Sequence, residues 1–153
     1  MSVTVNNNPT PTISASDNLE FCDGDSVTLT SSIASSYLWS TGATTRSMTV
    51  FTTGEFSVEV TNGRGCAGAS DTVNVTVFPN PTPTLTASGP TEFFDGESVQ
   101  LTVTAGNSYI WNTGATGQTI TVTTSGSRWA TVTNINGCSG ISDTVDVVVN
   151  PNP

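Results

Sequence analysis

The side chains that most enzymes use for nucleophilic or proton-transfer chemistry are largely missing from this sequence. The chain has 153 residues and contains neither His nor Lys. This composition excludes Ser–His–Asp and Cys–His nucleophile systems, Schiff-base chemistry and metal sites ligated by His. A pair of carboxylates acting as acid and base is the one enzymatic arrangement that remains. No long loop is available to build a cleft around such a pair, so the sequence predicts a protein that is not an enzyme.

Six acidic residues recur at matched places and are the candidates for a metal site. They form two sets that lie 72 positions apart: Asp23, Asp25 and Asp71, then Asp95, Glu97 and Asp143. Ca²⁺ prefers clustered carboxylate and carbonyl oxygens, so one interpretation is a calcium site in each half of the chain. The other interpretation is structural, because Asp-Gly forms turns and Asp71 can cap a strand. No other cofactor is indicated.

The offset of 72 runs through the whole chain and defines its organisation. Residues 37–42 return as residues 109–114, and each stretch has a Trp two positions after a Tyr, at Trp39 and Trp111. Side chains two positions apart on a strand point to the same face. A buried Trp removes a large apolar area from water. Each stretch is therefore predicted to be the central strand of a small β-domain, and the chain to be a tandem repeat.

Short alternating segments predict the fold class. In the first copy, apolar residues alternate with polar ones in about six or seven segments, as at Phe56, Val58 and Val60. Turn-forming pairs such as Asn62-Gly63 separate the segments, and no stretch has helical period. The sequence therefore predicts an all-β protein with two tandem antiparallel β-sandwich domains.

The charge balance limits the partners. The formal net charge is −9, and Arg46, Arg64 and Arg128 are the only cations. Such a chain has no electrostatic attraction for phosphate, which argues against nucleic acid and anionic membranes. No apolar run approaches the roughly 20 residues that would span a bilayer. A signal peptide is also missing, and we interpret the initial Met-Ser as an expression start.

Several motifs together resemble a known family. They are residues 24–29 (Gly-Asp-Ser-Val-Thr-Leu), 37–42 (Tyr-x-Trp-Ser-Thr-Gly), 54–62 (Gly-x-Phe-Ser-Val-x-Val-Thr-Asn), 65–66 (Gly-Cys) and 70–75 (Ser-Asp-x-Val-x-Val). These motifs are similar to the immunoglobulin-like (Ig-like), PKD-like repeats of large secreted Bacteroidetes proteins, which include the giant repeat adhesins of gliding bacteria. The resemblance implies an Ig-like fold, an extracellular cell-surface location and a role in adhesion or gliding motility.

In an extracellular setting the three cysteines are candidates for oxidation. Cys22 and Cys66 both lie at strand ends of the first copy, and we expect them to form a disulfide of the kind that staples small secreted domains. Cys138 is expected to be a free thiol, because Phe94 occupies the position of its partner and is expected to pack over a buried sulfur. The alternative for an odd cysteine is a bridge between chains.

The two copies differ where Phe56-Ser57 is replaced by Arg128-Trp129. If the register is kept, Arg128 takes a core position and Trp129 turns outward, with or without a ligand. A β-bulge would instead carry Trp129 into the Phe56 position and let Arg128 reach water. Trp129 is therefore a candidate ligand contact, and all three interpretations stay open.

Proline-rich stretches divide the chain. Residues 1–8 are interpreted as the tail of a preceding repeat or a linker, 9–78 as the first Ig-like repeat, 79–84 as a Pro-rich linker, 81–150 as the second Ig-like repeat and 151–153 as the start of the next linker. Pro-rich segments favour extended conformations. We therefore expect a semi-rigid join and an end-to-end arrangement in which neighbouring repeats of the same chain are partners.

These observations predict a non-catalytic structural or adhesion repeat pair from a long cell-surface or secreted protein. It would act as an extended stalk that displays, or contributes to, surface attachment, with a surface polysaccharide or another surface protein as the further partner. The alternative is a carbohydrate-binding accessory module of a secreted enzyme. That role requires exposed, coplanar aromatic side chains, for which Trp129, Phe51 and Phe78 are the candidates.

Overall fold

The computed structural model describes residues 2–153, which contain eighteen strands and no helix. The chain divides into two units, Met1–Phe78 and Pro79–Pro153. Each unit has nine strands, and every strand of the second unit lies 72 residues after its counterpart in the first. The predicted all-β class is confirmed.

The strands of the first unit are β1 (Ile13–Ala15), β2 (Glu20–Cys22), β3 (Val27–Ser31), β4 (Ser36–Trp39), β5 (Ser47–Val50), β6 (Gly54–Phe56), β7 (Val58–Thr61), β8 (Ala67–Ala69) and β9 (Val73–Phe78). The strands of the second unit are β10 (Leu85–Ala87), β11 (Glu92–Phe94), β12 (Val99–Val103), β13 (Ser108–Trp111), β14 (Thr119–Val122), β15 (Gly126–Arg128), β16 (Ala130–Thr133), β17 (Ser139–Ile141) and β18 (Val145–Asn150).

Each unit is built from two layers of strands. In the first unit one layer has the order β1-β3-β5, and all its pairs are antiparallel. The other layer contains β4-β7-β8 and β2-β9-β6. Since Ser57 alone separates β6 from β7, and residues 70–72 separate β8 from β9, these two ladders continue one another. The second unit repeats this arrangement. The pairing of β2 with β9, and of β11 with β18, is parallel.

The core lies between the two layers and follows the alternation of the sequence. In the first unit Leu29 is fully buried and Trp39 is 2% exposed. The Trp39 indole nitrogen also donates a hydrogen bond to the carbonyl of Thr45 (2.7 Å), so burial of the ring leaves no polar atom unpaired. The buried residues of the first core are Val27, Leu29, Trp39, Val50, Phe56, Val58, Val60 and Val75. Those of the second are Phe93, Val99, Leu101, Val103, Trp111, Val122, Ala130, Val132 and Val147.

The chain enters and leaves each unit at opposite ends. In the first unit Ile13 pairs with Ser31, where β3 finishes, so the chain enters there. At the other end Cys22 pairs with Phe78, the last residue of β9. The Cys22 carbonyl also accepts a hydrogen bond from the N–H of Asp25, just before β3 begins. We call these the entrance end and the exit end of a unit.

The residues before the first strand are held by their own unit. The Asn62 side chain donates to the carbonyl of Asn7, and the Asn134 side chain donates to the carbonyl of Pro79 (both 3.3 Å). The Pro81 carbonyl lies against Gly140 on β17. The proline-rich residues 79–84 therefore include contacts to the second unit before β10 begins.

Candidate functional site

The cysteines differ from both expectations. Cys66 is the free cysteine, whereas Cys22 and Cys138 are disulfide-bonded. The predicted Cys22–Cys66 disulfide is therefore wrong, and so is the predicted free thiol at Cys138. Cys138 is buried as expected, at 1% exposed. Phe94, whose ring was expected to pack over the Cys138 sulfur, is 53% exposed and is therefore not part of a buried contact.

The register of the first unit explains why Cys22 and Cys66 do not bond to each other. Cys22 lies at the exit end, beside the start of β3. Cys66 lies at the entrance end. Its carbonyl accepts a hydrogen bond from the N–H of Asn62. The residue before Asn62, Thr61, bonds through its carbonyl to the N–H of Ser35, which follows the end of β3. The length of β3 alone sets a separation on the order of 15 Å. A disulfide requires Cα atoms within about 7 Å.

The loop that carries each entrance-end cysteine has the same hydrogen bonds in both units. The Asn62 Oδ1 accepts from the N–H groups of Arg64 and Cys66 (3.0 and 3.1 Å). The Asn134 Oδ1 accepts from the N–H groups of Asn136 and Cys138 (both 3.0 Å). In each five-residue turn, the asparagine oxygen accepts from two backbone N–H groups that would otherwise lack a backbone partner. Cys66 and Cys138 are therefore presented by the same local structure.

The acidic residues do not come together in threes. In the first unit Asp25 and Asp23 belong to the turn at the exit end, whereas Asp71 precedes β9, on the order of 20 Å away along the strand. No group of three metal-binding side chains occurs in residues 2–153. In the second unit the Glu97 carboxylate accepts a hydrogen bond from the N–H of Phe94 (3.1 Å). The Glu97 side chain thus bonds to the backbone of its own turn.

The register around Arg128 and Trp129 is the same as in the first unit. Arg128 pairs with Val145, as Phe56 pairs with Val73. Trp129 accordingly points outward and is 37% exposed. No bulge shifts Trp129 into the core, so the β-bulge interpretation is wrong.

The guanidinium of Arg128 forms three hydrogen bonds with neighbouring residues at the surface. It donates to the carbonyl of Ser127 (3.1 Å) and to both the carbonyl (3.2 Å) and the hydroxyl (3.0 Å) of Thr124. Arg128 also lines a surface depression of about 400 Å³ with Thr113 and Ile120. The position of a core Phe in the first unit is thus taken by a cation with its stem half-buried.

Trp129 lies beside an outward-facing row of cross-strand neighbours in the second unit, Ile110, Thr131 and Ile141. Ile110 pairs with Thr131, which pairs with Ile141, and both isoleucines are more than half exposed. The backbone of Trp129 is fixed by Asn112, whose side chain accepts from the Trp129 N–H (3.2 Å) and donates to the carbonyl of Ser127 (2.9 Å). The backbone of Trp129, in the single-residue break between β15 and β16, is therefore held by the Asn112 side chain.

The first unit lacks this row. The residues that correspond to Thr131 and Ile141 are Glu59 and Ala69. Ser57 stands where the second unit has Trp129. The sequence comparison of the two copies singled out Trp129 but not the flanking isoleucines, because their alignment across three strands depends on register.

Residues 2–153, the part of the chain that the structure describes, contain no helix that is long and apolar enough to cross a bilayer.

Comparison with known proteins gives similarity at the level of structure alone. No family model matches the chain, and no curated protein matches its sequence. Three N-terminal domains of the bacteriophage RB49 outer capsid protein Hoc are 18% identical, with a TM-score of 0.46, covering 92% of this chain and 59% of that one. This chain thus spans about three fifths of the Hoc structure.

Two further solved structures are similar over most of their length. Murine CEACAM1b is 14% identical, with a TM-score of 0.42, and the similarity covers 92% of this chain and 100% of that one. The fibronectin(III)-like modules of CbhA from Clostridium thermocellum are 11% identical, with a TM-score of 0.41, covering 91% and 94%. By the strand topology described above, each unit is an Ig-like antiparallel β-sandwich.

Proposed function

We propose that the two units are non-catalytic structural segments of an extracellular, cell-surface or secreted protein, and that they transmit tension along the chain as part of a stalk. The resemblance to repeat adhesins of Bacteroidetes supports a role in surface attachment. The lack of His and Lys supports the absence of catalysis.

The observation that carries this proposal is the pairing of the last strand of each unit. The β9 strand runs parallel to β2, with Glu20, Phe21 and Cys22 opposite Thr76, Val77 and Phe78. The N–H of Asp23 extends the ladder by donating to the Phe78 carbonyl (2.9 Å). The β9 strand is also paired with β6 on its other side. It is therefore held by hydrogen bonds along both edges.

The direction of the pull decides how these bonds resist it. Because the chain enters and leaves at opposite ends, tension between the ends pulls β9 along its own axis. The hydrogen bonds of the ladder lie across that axis, so they are loaded together rather than broken one after another. A unit built in this way is suited to bearing tension.

Single-molecule pulling under reducing conditions, in which the disulfide at Cys22 and Cys138 is open and tension passes through the strands, tests the proposal. In the second unit the N–H of Asp95 donates to the carbonyl of Asn150 (2.8 Å), which corresponds to the Asp23 bond of the first unit. Asp95→Pro removes that donor, and we expect it to lower the unfolding force of one unit and leave the other unchanged. Asp95→Ala is the matched control, because it removes the carboxylate and keeps the donor. Equal unfolding forces for the Pro and Ala variants would reject the load-bearing role.

The exposed Trp129 supports a second candidate, a carbohydrate-binding accessory module. An exposed indole offers a flat apolar surface for a sugar ring. A glycan-binding screen with the full chain tests this role, and Trp129→Ala should abolish any binding that depends on the indole. Phe94→Ala is the control, because Phe94 is an exposed aromatic residue (53%) in the same unit and is not among the candidate aromatic contacts. Glycan binding lost only in the Trp129 variant would favour this candidate over the structural one.

A further inference from the structure

We propose that the surface depression beside Arg128 in the second unit binds an acidic sugar, such as a uronic acid, through the sugar's carboxylate. This depression, the Arg128 crevice, has a volume of about 400 Å³ and is lined by Arg128, by short apolar side chains and by Thr113, Thr121, Thr123 and Thr124. The proposal depends neither on the mechanical role proposed above nor on the indole of Trp129.

The first unit has the same crevice with different chemistry. There the depression has a volume of about 380 Å³ and is lined by the equivalent positions. Phe51 stands where the second unit has Thr123. Phe56 stands where the second unit has Arg128. The crevice therefore comes with the fold, whereas its positive charge and the hydroxyl group of Thr123 are specific to the second unit.

The guanidinium of Arg128 is held in place before any ligand binds. Its Nη1 lies 2.6 Å from the point that a Cβ atom on Gly126 would occupy, and this glycine has a φ of 145°. Three hydrogen bonds to Ser127 and Thr124 fix the group in this position. A side chain that is already ordered loses little conformational entropy when a ligand binds. The glycine thus makes room for a pre-organised cation.

The positive charge of Arg128 remains available to a ligand, because its three acceptors are neutral oxygen atoms. These bonds use Nη1 and Nη2, so the Nε–H can donate to a further acceptor. The carboxylate on the neighbouring strand, that of Asp146, accepts from the Ser127 hydroxyl (2.6 Å). Ser127 and Arg128 are adjacent on β15, so their side chains point to opposite faces. Asp146 therefore lies on the face away from the crevice.

A single carboxylate is the anion that this arrangement fits. Hydrogen bonds between a guanidinium and a carboxylate are charge-assisted and stronger than those between neutral groups. The formal net charge of −9 repels ligands that carry several negative charges. A ligand with one carboxylate is therefore favoured over a polyanion.

The rest of the lining fits a sugar ring. Thr113, Thr121 and Thr123 are exposed, and their hydroxyl groups can donate to and accept from the hydroxyl groups of a sugar. Ala115 and Ile120 are half-buried and offer apolar contacts to its C–H groups. The volume of the crevice is in the range of small-molecule sites. A uronic acid supplies the carboxylate, the hydroxyl groups and the ring together.

Titration of the full chain with two matched glycosides tests the proposal. Methyl glucuronide carries a carboxylate where methyl glucoside has a hydroxymethyl group. We expect the glucuronide to bind with a Kd on the order of 1 mM, as one ring with few polar contacts would. The glucoside should bind about tenfold more weakly, because the charge-assisted bond is missing. NMR follows the backbone amides of Thr123 and Thr124, with those of Phe51 and Thr52 as the control from the first unit.

Variants locate the site. Arg128→Gln removes the charge and should weaken glucuronide binding about tenfold or more. Arg128→Phe, which introduces the residue of the first unit, should have the same effect. Arg64→Gln is the matched control, because it removes one exposed cation of the first unit and changes the net charge equally. Neither Arg64→Gln nor Trp129→Ala should change the Kd.

Three results would overturn the proposal. The first is equal affinity for the two glycosides, or an unchanged Kd for the glucuronide in either Arg128 variant. The second is binding of acetate as tight as that of the glucuronide, because the sugar ring would then contribute nothing. The third is loss of glucuronide binding in Trp129→Ala, which would assign the sugar to the indole instead.

Discussion

The carbonyl oxygen of Pro9 lies against Gly68, in the space that a Cβ atom on this glycine would occupy. Pro81 has the same relation to Gly140 in the second unit. The segment before the first strand therefore packs on β8 or β17 at backbone distance, which only a residue without a side chain allows. The central residue of β8 and of β17 is thus a glycine, although glycine has a low β propensity.

We expect Gly140→Ala to lower the free energy of unfolding of the second unit by about 1–3 kcal/mol, because the new methyl group displaces the Pro81 carbonyl. Gly89→Ala is the matched control, since a Cβ there meets nothing within 4 Å, and its effect should stay within about 0.5 kcal/mol. Chemical denaturation of both variants measures the difference. Equal effects would mean that the proline segment does not dock on β17.

Exchanging the residues at positions 56 and 128 should change the stability of the two units in opposite directions. Phe56 is 7% exposed and belongs to the core, so we expect Phe56→Arg to destabilise the first unit by about 2 kcal/mol or more. Arg128→Phe should stabilise the second unit by about 1 kcal/mol, because a buried ring replaces a half-solvated stem. Calorimetry of the single variants measures both changes. If Arg128→Phe destabilises, the three hydrogen bonds of the guanidinium outweigh apolar burial.

Thiol mapping of the chain itself checks the corrected cysteine assignment. Alkylation after denaturation without reduction should modify Cys66 alone, because Cys22 and Cys138 are bonded. Cys138→Ser should lower the free energy of unfolding by about 2–4 kcal/mol, as expected for loss of a disulfide. Cys66→Ser serves as the control and should leave the stability almost unchanged. Recovery of a Cys22–Cys66 peptide would restore the original expectation.

Removal of calcium should leave the chain unchanged if the acidic residues only form turns. Asp71 and Asp143 lie apart from the exit-end carboxylates of their units, so we expect the same Tm with excess Ca²⁺ and with a chelator. A ligand that binds only the folded state raises stability by about 2.7 kcal/mol at one hundred times its Kd. A shift of that size in thermal melting would support the calcium interpretation instead.

Local patterns in the sequence were sufficient for the fold class. Alternation placed Val58, Val60 and Trp39 in the core because strand side chains point to opposite faces by period two. The sequence left the register of Arg128 and Trp129 open, because a β-bulge was an alternative. The pairing of Arg128 with Val145 shows that the register of Phe56 is kept.

Features that depend on pairing between distant segments were not predictable in this way. The β2 and β8 strands have three residues each and contain little apolar alternation, so nine strands were found where about six or seven were expected. The cysteine pairing failed for the same reason. Both cysteines lie at strand ends, but only the register of β2 with β9 shows that the ends are opposite ones.

The loop that presents Cys138 gives a final test of how local bonds hold this cysteine. The Asn134 side chain accepts two backbone N–H bonds and donates one to the Pro79 carbonyl. Asn134→Ala removes all three, so we expect the second unit to lose about 1–3 kcal/mol, since the freed N–H groups lack protein partners.

Asn134→Asp separates the two functions of this side chain, because a carboxylate oxygen still accepts from the loop but cannot donate to Pro79. We expect its loss of stability to be smaller than that of the Ala variant. Reduction of the Cys138 disulfide by dithiothreitol should accelerate in the same order, because a looser loop exposes the sulfur more often. Urea denaturation and timed alkylation measure the two quantities. If the Ala and Asp variants are equally destabilised, the bond to Pro79 matters more than the loop, and the order of reduction rates should then disappear as well.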